Sequence, residues 1–134
     1  MTQAMYRART APPLGLRMRA VPAVLAARLL ATRSPRTIRR VLSFVRRGSA
    51  PASREQAARA MDAVLAVSTR CSGRYCLERS LAVVLLSRTA GVWPTWCIGV
   101  RASAPFTSHA WVAAEGAPVG ESGSLAGYHI VLSE

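Results

Sequence analysis

An α+β fold follows from one change of pattern along the 134 residues. Up to about residue 87 the apolar positions recur every three or four residues between caps, glycines and prolines, as on amphipathic helices. From Trp96 onward they recur every second residue, as on half-buried strands. Helices followed by an antiparallel meander make an α+β architecture. The length suits one domain, and a hydrophobic share of 51% excludes a largely disordered chain despite its charge.

Taken in order, residues 1–13, ending in Ala11-Pro12-Pro13, read as a flexible lead-in to a single domain over 14–134. Residues 22–31 place small and aliphatic side chains at helical spacing. Ser34-Pro35 then supplies an N-cap and a proline at the first helical position. Ile38, Val41, Leu42 and Val45 follow at helical intervals, with Arg36, Arg39, Arg40, Arg46 and Arg47 filling much of the other face, until Gly48 ends this basic amphipathic helix. Ser53 and Gln56 form a capping box for a third helix to about Thr69, with Ala57, Ala60, Met61, Val64, Leu65 and Val67 on its apolar face. Ser72-Gly73 punctuates. A fourth helix runs over about 75–87 and stops before Gly91 and Pro94.

Trp96, Ile98 and Val100 alternate with Cys97, Gly99 and Arg101 on a first strand, and Ala104-Pro105 marks its connection. On a second strand, over 108–113, His109, Trp111 and Ala113 share one face. Glu115-Gly116 turns the chain into a short segment over 118–121, and 128–132 supplies a last strand.

The charge is segregated. Residues 1–54 hold twelve arginines and no acid, whereas 55–134 hold six arginines and six acids, so the net +12 lies wholly in the first part. A basic surface attracts nucleic acid, anionic lipid or an acidic peptide by the same electrostatics, and a solvated helical face has the same pattern. The first ten residues contain no apolar signal core, and Arg17, Arg19 and Arg28 interrupt the apolar stretch 14–31. A cytoplasmic protein with free thiols is expected. Cys71, Cys76 and Cys97, with two histidines, lack the paired spacings of a structural zinc site. No metal and no other cofactor is expected.

Cys76 stands in the first turn of the fourth helix, where unpaired backbone N–H groups and the positive end of the dipole favour a thiolate. A sulfur nucleophile needs a base, and the base needs a group to fix its tautomer. Cys76 as nucleophile, His109 as base and Glu121 as orienting acid follow the chain order of papain-like and transglutaminase-like cysteine enzymes. Twelve residues separate His109 from Glu121, enough to finish a strand, turn and return alongside it. A cysteine ahead of an aliphatic run is also the pattern of a small core residue, which suits Cys71 and Cys97 better. His129 is a rival base, ranked below His109 because it follows Glu121. Glu78 and Arg79 fit either a structural role or, for Arg79, a place facing the site.

The stretch 76–132 resembles the transglutaminase-like leader peptidases of lasso-peptide biosynthesis. The matching text is Cys76-Leu77-Glu78-Arg79-Ser80-Leu81-Ala82, then Ile98-Gly99-Val100-Arg101, Pro105-Phe106, His109-Ala110-Trp111-Val112 and Gly116-Ala117-Pro118-Val119. The resemblance implies a transglutaminase-like or papain-like helix on an antiparallel sheet, with the catalytic core over 51–134 behind a basic helical part over 14–50. It also implies a cysteine protease that removes the leader of a ribosomally made precursor peptide, with Cys76 and His109 as its first two catalytic residues. The third is commonly aspartate in that family where this chain has Glu121, and the acidic residue that tends to follow the histidine motif is replaced here by Ala113.

Short members of that family take their leader recognition from a separate small protein and act with an ATP-dependent cyclase. The precursor peptide, the recognition protein and the cyclase are therefore the expected partners, with the basic helices as a docking surface for one of them. Nucleic acid is not expected, and membrane association is left open. Two other readings compete: a transglutaminase-like acyltransferase, in which an amine resolves the thioester, and a non-enzymatic basic helical binding module.

Overall fold

The computed structural model describes residues 11–69, 71, 75–104, 107–121, 125 and 127–134. Among these lie four helices, α1 (Leu14–Leu30), α2 (Pro35–Val45), α3 (Arg54–Val67) and α4 (Cys76–Thr89). Six strands accompany them: β1 (Ala50–Pro51), β2 (Val92–Trp93), β3 (Thr95–Arg101), β4 (Ser108–Ala114), β5 (Ala117–Val119) and β6 (Tyr128–Ser133). The architecture is α+β, as the change of period predicts. Most of the lead-in, the Ser72-Gly73 break and the Pro105-Phe106 pair fall outside the described residues.

Helix α1 begins at Leu14, a full two turns before the expected start, and continues through Pro22. A proline inside a helix costs about 3 kcal/mol because it removes a hydrogen bond and crowds the preceding turn. Ala20 is buried before the proline and Ala23, Val24 and Ala27 after it, so packing of one continuous face outweighs that cost. These small residues share a core with Ala57, Ala60 and Val64 of α3 and with Leu81, Val84 and Leu86 of α4.

Ser34 caps α2 by accepting from the Thr37 N–H, with Pro35 at the first position. Of its four expected apolar positions only Ile38 and Leu42 are fully buried, while Val41 is exposed. The far end of α2 is held by Arg88 of α4, whose guanidinium donates to the carbonyls of Val45 (2.8 Å) and Arg47 (3.1 Å). These are carbonyls that a helix C-terminus leaves without intrahelical partners. Both bonds of the Ser53–Gln56 capping box are present at the start of α3.

The four-stranded sheet has the order β5-β4-β3-β6. Glu115 and Gly116 both have positive φ and join β4 to β5 as a two-residue hairpin turn. The meander stops there. Strand β6 crosses to the opposite edge and pairs antiparallel with β3, with a register shift between Ile98 and Gly99. Alternation marks a strand but not its neighbour, so the sheet departs from the simple meander expected of the sequence. The short parallel pair β1–β2 also lacked a signal, because two residues per strand show no period. On the inner face, Trp96, Val112 and Ala114 join the helical core.

Candidate active site

Cys76 is the first residue of α4. Two anchors hold that end of the helix. The buried Trp96 indole of β3 donates to Ser80 Oγ at 3.1 Å, and Ser80 in turn donates to the Leu77 carbonyl at 2.9 Å. Arg79, only 2% exposed, donates from Nη1 to the Cys71 carbonyl at 3.2 Å, which ties the helix to the chain that leads into it. The other two helices that follow a serine are capped by it, whereas Tyr75 makes no side-chain cap at α4. The first-turn N–H groups of α4 therefore carry no side-chain cap from Tyr75.

Strand β4 brings His109 to this helix start. Its imidazole hydrogen-bonds the Cys76 sulfur, and the neighbouring Ala110 gives the sulfur a backbone hydrogen bond. Glu121, two residues past β5, places Oε2 2.9 Å from His109 Nε2. With Nε2 engaged by the carboxylate, Nδ1 is the nitrogen left for the thiol. Thus Cys76, His109 and Glu121 are brought together in a row, His109 half-buried and the Glu121 side chain only 7% exposed. The hairpin at Glu115-Gly116 makes this possible: β5 pairs Val119 with Val112, and two further residues carry the chain back to the level of Ala110.

Burial pushes the Cys76 thiol up, but the His109 hydrogen bond, the Ala110 backbone bond and the nearby charges of His109 and Arg79 outweigh it. The net direction is down. His109 is pushed up to about 9, first by its hydrogen bond to Cys76 and then by the one to Glu121, against the opposing effect of burial. Both shifts favour a thiolate–imidazolium pair, the reactive form of a cysteine nucleophile.

His109 is also walled in by aromatic rings. Trp111 stacks on His109 with ring centres 5.9 Å apart and planes 20° from parallel, and Tyr128 of β6 lies 5.9 Å from the imidazole and 6.3 Å from Trp111. Trp111 sharing a face with His109 was legible from alternation. Tyr128 was not, because its place depends on β6 pairing with β3.

The other sequence candidates lie elsewhere or act indirectly. His129 is exposed on β6, opposite Val100, with β3 between it and β4. Cys97 is buried on β3, and burial raises its thiol. Cys71 is buried, and its carbonyl receives Arg79. Among the described residues no group of His, Cys, Asp or Glu gathers as a metal-binding set, and no helix is long and apolar enough to cross a membrane.

A family model described as the transglutaminase-like superfamily matches residues 20–133, taking in most of α1 and everything from α2 through β6. No curated protein and no solved structure matches the chain significantly. Members of this superfamily are generally cysteine peptidases or acyltransferases, and a depressed thiol at a helix start beside a carboxylate-held imidazole suits either chemistry. On the extent of that match, the chain belongs to the transglutaminase-like superfamily.

Proposed function

We propose that this chain is a cysteine peptidase that removes the leader from a lasso precursor peptide, working with a separate leader-recognition protein before a cyclase closes the macrolactam. The observation that carries the catalytic part is the row formed by Cys76, His109 and Glu121. The lasso assignment is supported by the set of short motifs over 76–132.

In the proposed reaction the Cys76 thiolate attacks the carbonyl carbon of the last leader residue. The developing oxyanion is met by the first-turn N–H groups of α4, that of Cys76 foremost. Protonated His109 gives its proton to the core-peptide nitrogen as the C–N bond breaks, leaving the leader as a thioester on Cys76. Water, deprotonated by His109, then attacks the thioester, the C–S bond breaks, and the leader leaves as a carboxylic acid. Glu121 holds the imidazole in the tautomer and orientation that both half-reactions require.

The test is mass spectrometry of the purified chain incubated with its recognition partner and a candidate precursor. Free leader and free core are expected from the unaltered chain and from neither Cys76→Ala nor His109→Ala. Intact precursor with all three proteins would sink the reading. Leader joined to an added amine would replace it with acyl transfer.

A further inference from the structure

Helix α1 has two apolar faces. Ala20, Ala23, Val24 and Ala27 enter the core, while Leu14, Met18, Val21, Leu25 and Leu29 point outward and are each between 48% and 73% exposed. The outward residues follow one another at steps of four, three, four and four, forming a stripe about 22 Å long at 1.5 Å per residue. A single exposed leucine needs no explanation, but five in one row on one helix do.

The width and borders of the stripe discriminate among occupants. An interfacial helix that lies in a bilayer presents a broad apolar face with cations along its margins. Here the stripe is a narrow seam of the kind that pairs with another helix. Exposed Arg17 and Arg28 flank one side, and small or compact Gly15, Pro22 and Ala26 flank the other, where the next cation, Arg19, is tied to α4 by donating to Thr89 Oγ1 at 2.9 Å. A second copy is disfavoured by charge. Seam-to-seam pairing of two α1 helices would set Arg17 and Arg28 against the same residues of the other copy, and residues 1–54 contain no acid to answer them.

We infer that the outward seam of α1 is a docking surface for an amphipathic helix of a partner protein, with acidic residues beside its apolar stripe. Apolar knobs of the partner pack between Met18, Val21 and Leu25. Its carboxylates pair with Arg17 and Arg28, and Gly15 and Ala26 allow close approach on the far side. The surface is independent of the thiol chemistry, and none of its residues belongs to the site around Cys76.

The test uses the full chain carrying Cys76→Ala and a fluorescent synthetic helix of about twenty residues, with leucines on a seam and glutamates flanking it, beside a twin with lysine flanks. Saturable binding of the glutamate peptide is expected, at least about tenfold tighter than that of the lysine twin. Met18→Ser with Leu25→Ser should abolish it, and Arg17→Glu with Arg28→Glu should reverse the preference between the twins. All four positions are exposed, so circular dichroism should show each variant folded. The inference is overturned by equal or absent binding of the twins, or by insensitivity to the serine pair. It is also overturned by tighter binding to phosphatidylserine–phosphatidylcholine vesicles than to the peptide, or by a dimer in sedimentation that the serine pair dissolves.

Discussion

Gly99 of β3 lies directly beneath the Trp111 ring of β4: a Cβ at this glycine would fall 2.7 Å from Cη2 and 2.8 Å from Cζ3 of the indole. That ring is the one stacked on His109. The absence of a side chain at Gly99 therefore lets the indole that stacks on His109 lie close against β3. In Gly99→Ala the indole must move outward, which should cost about 1–3 kcal/mol of stability, as overpacking typically does. Denaturant unfolding measures that loss, and peptide cleavage should fall in kcat more than in KM as the imidazole is displaced from the thiol.

The two shifted groups predict a bell-shaped pH profile. Activity should rise as Cys76 ionises, below the ordinary range of a cysteine, and fall as His109 loses its proton through about 9. Because the folded value of His109 is raised, its contribution to stability is full below an unfolded value of about 6.5 and is lost as pH rises through the folded one. The largest cause of that shift is the bond to Cys76. In Cys76→Ala the imidazole should therefore titrate lower, and NMR of the histidine ring checks it. An unchanged titration would mean the two side chains do not interact in solution.

Removing His109 and loosening its hold should differ in degree. His109→Ala is expected to reduce cleavage by about two to four orders of magnitude, the usual contribution of general acid–base catalysis. Glu121→Gln can still bond Nε2 but carries no charge to support an imidazolium, so a smaller loss and a lower upper limb of the pH profile are expected. Equal losses in single-turnover rates would assign Glu121 a larger part than orientation.

Ser80 offers a purely structural test. Its hydroxyl is the acceptor for the buried Trp96 indole. Ser80→Ala leaves that N–H without this partner, at a cost of about 1–3 kcal/mol. Trp96→Phe removes donor and acceptor mismatch together, so the double variant Ser80→Ala with Trp96→Phe should recover part of the loss in thermal unfolding.

Much of this was readable because it is local or periodic. The capping box at Ser53, the cap at Ser34, the Glu115-Gly116 turn and the shared face of His109 and Trp111 each follow from residues a few positions apart. Chain order and the length of one hairpin made the approach of Cys76, His109 and Glu121 plausible, but their contact is a fact of the folded chain. What escaped depends on distant partners. Helix α1 runs through Pro22 only because α3 and α4 receive its alanines, β6 finds β3 only in three dimensions, and the burial of Arg79 reflects a carbonyl eight residues earlier in the chain. Charge pattern showed the N-terminal part to be basic, yet the apolar seam on α1 became visible only once its other face was seen to be buried.

Consecutive residues of β4 serve the sulfur in two ways, His109 through its side chain and Ala110 through its backbone. Because side chains alternate across a strand, displacing β4 by one residue would turn His109 to the opposite face and replace the Ala110 amide at the same moment. Partial function has no intermediate register to occupy. Deleting or inserting a single residue within β4 (Ser108–Ala114) should thus be far more damaging than most point substitutions on α2, and the evolutionary record of this strand should hold substitutions in place of length changes.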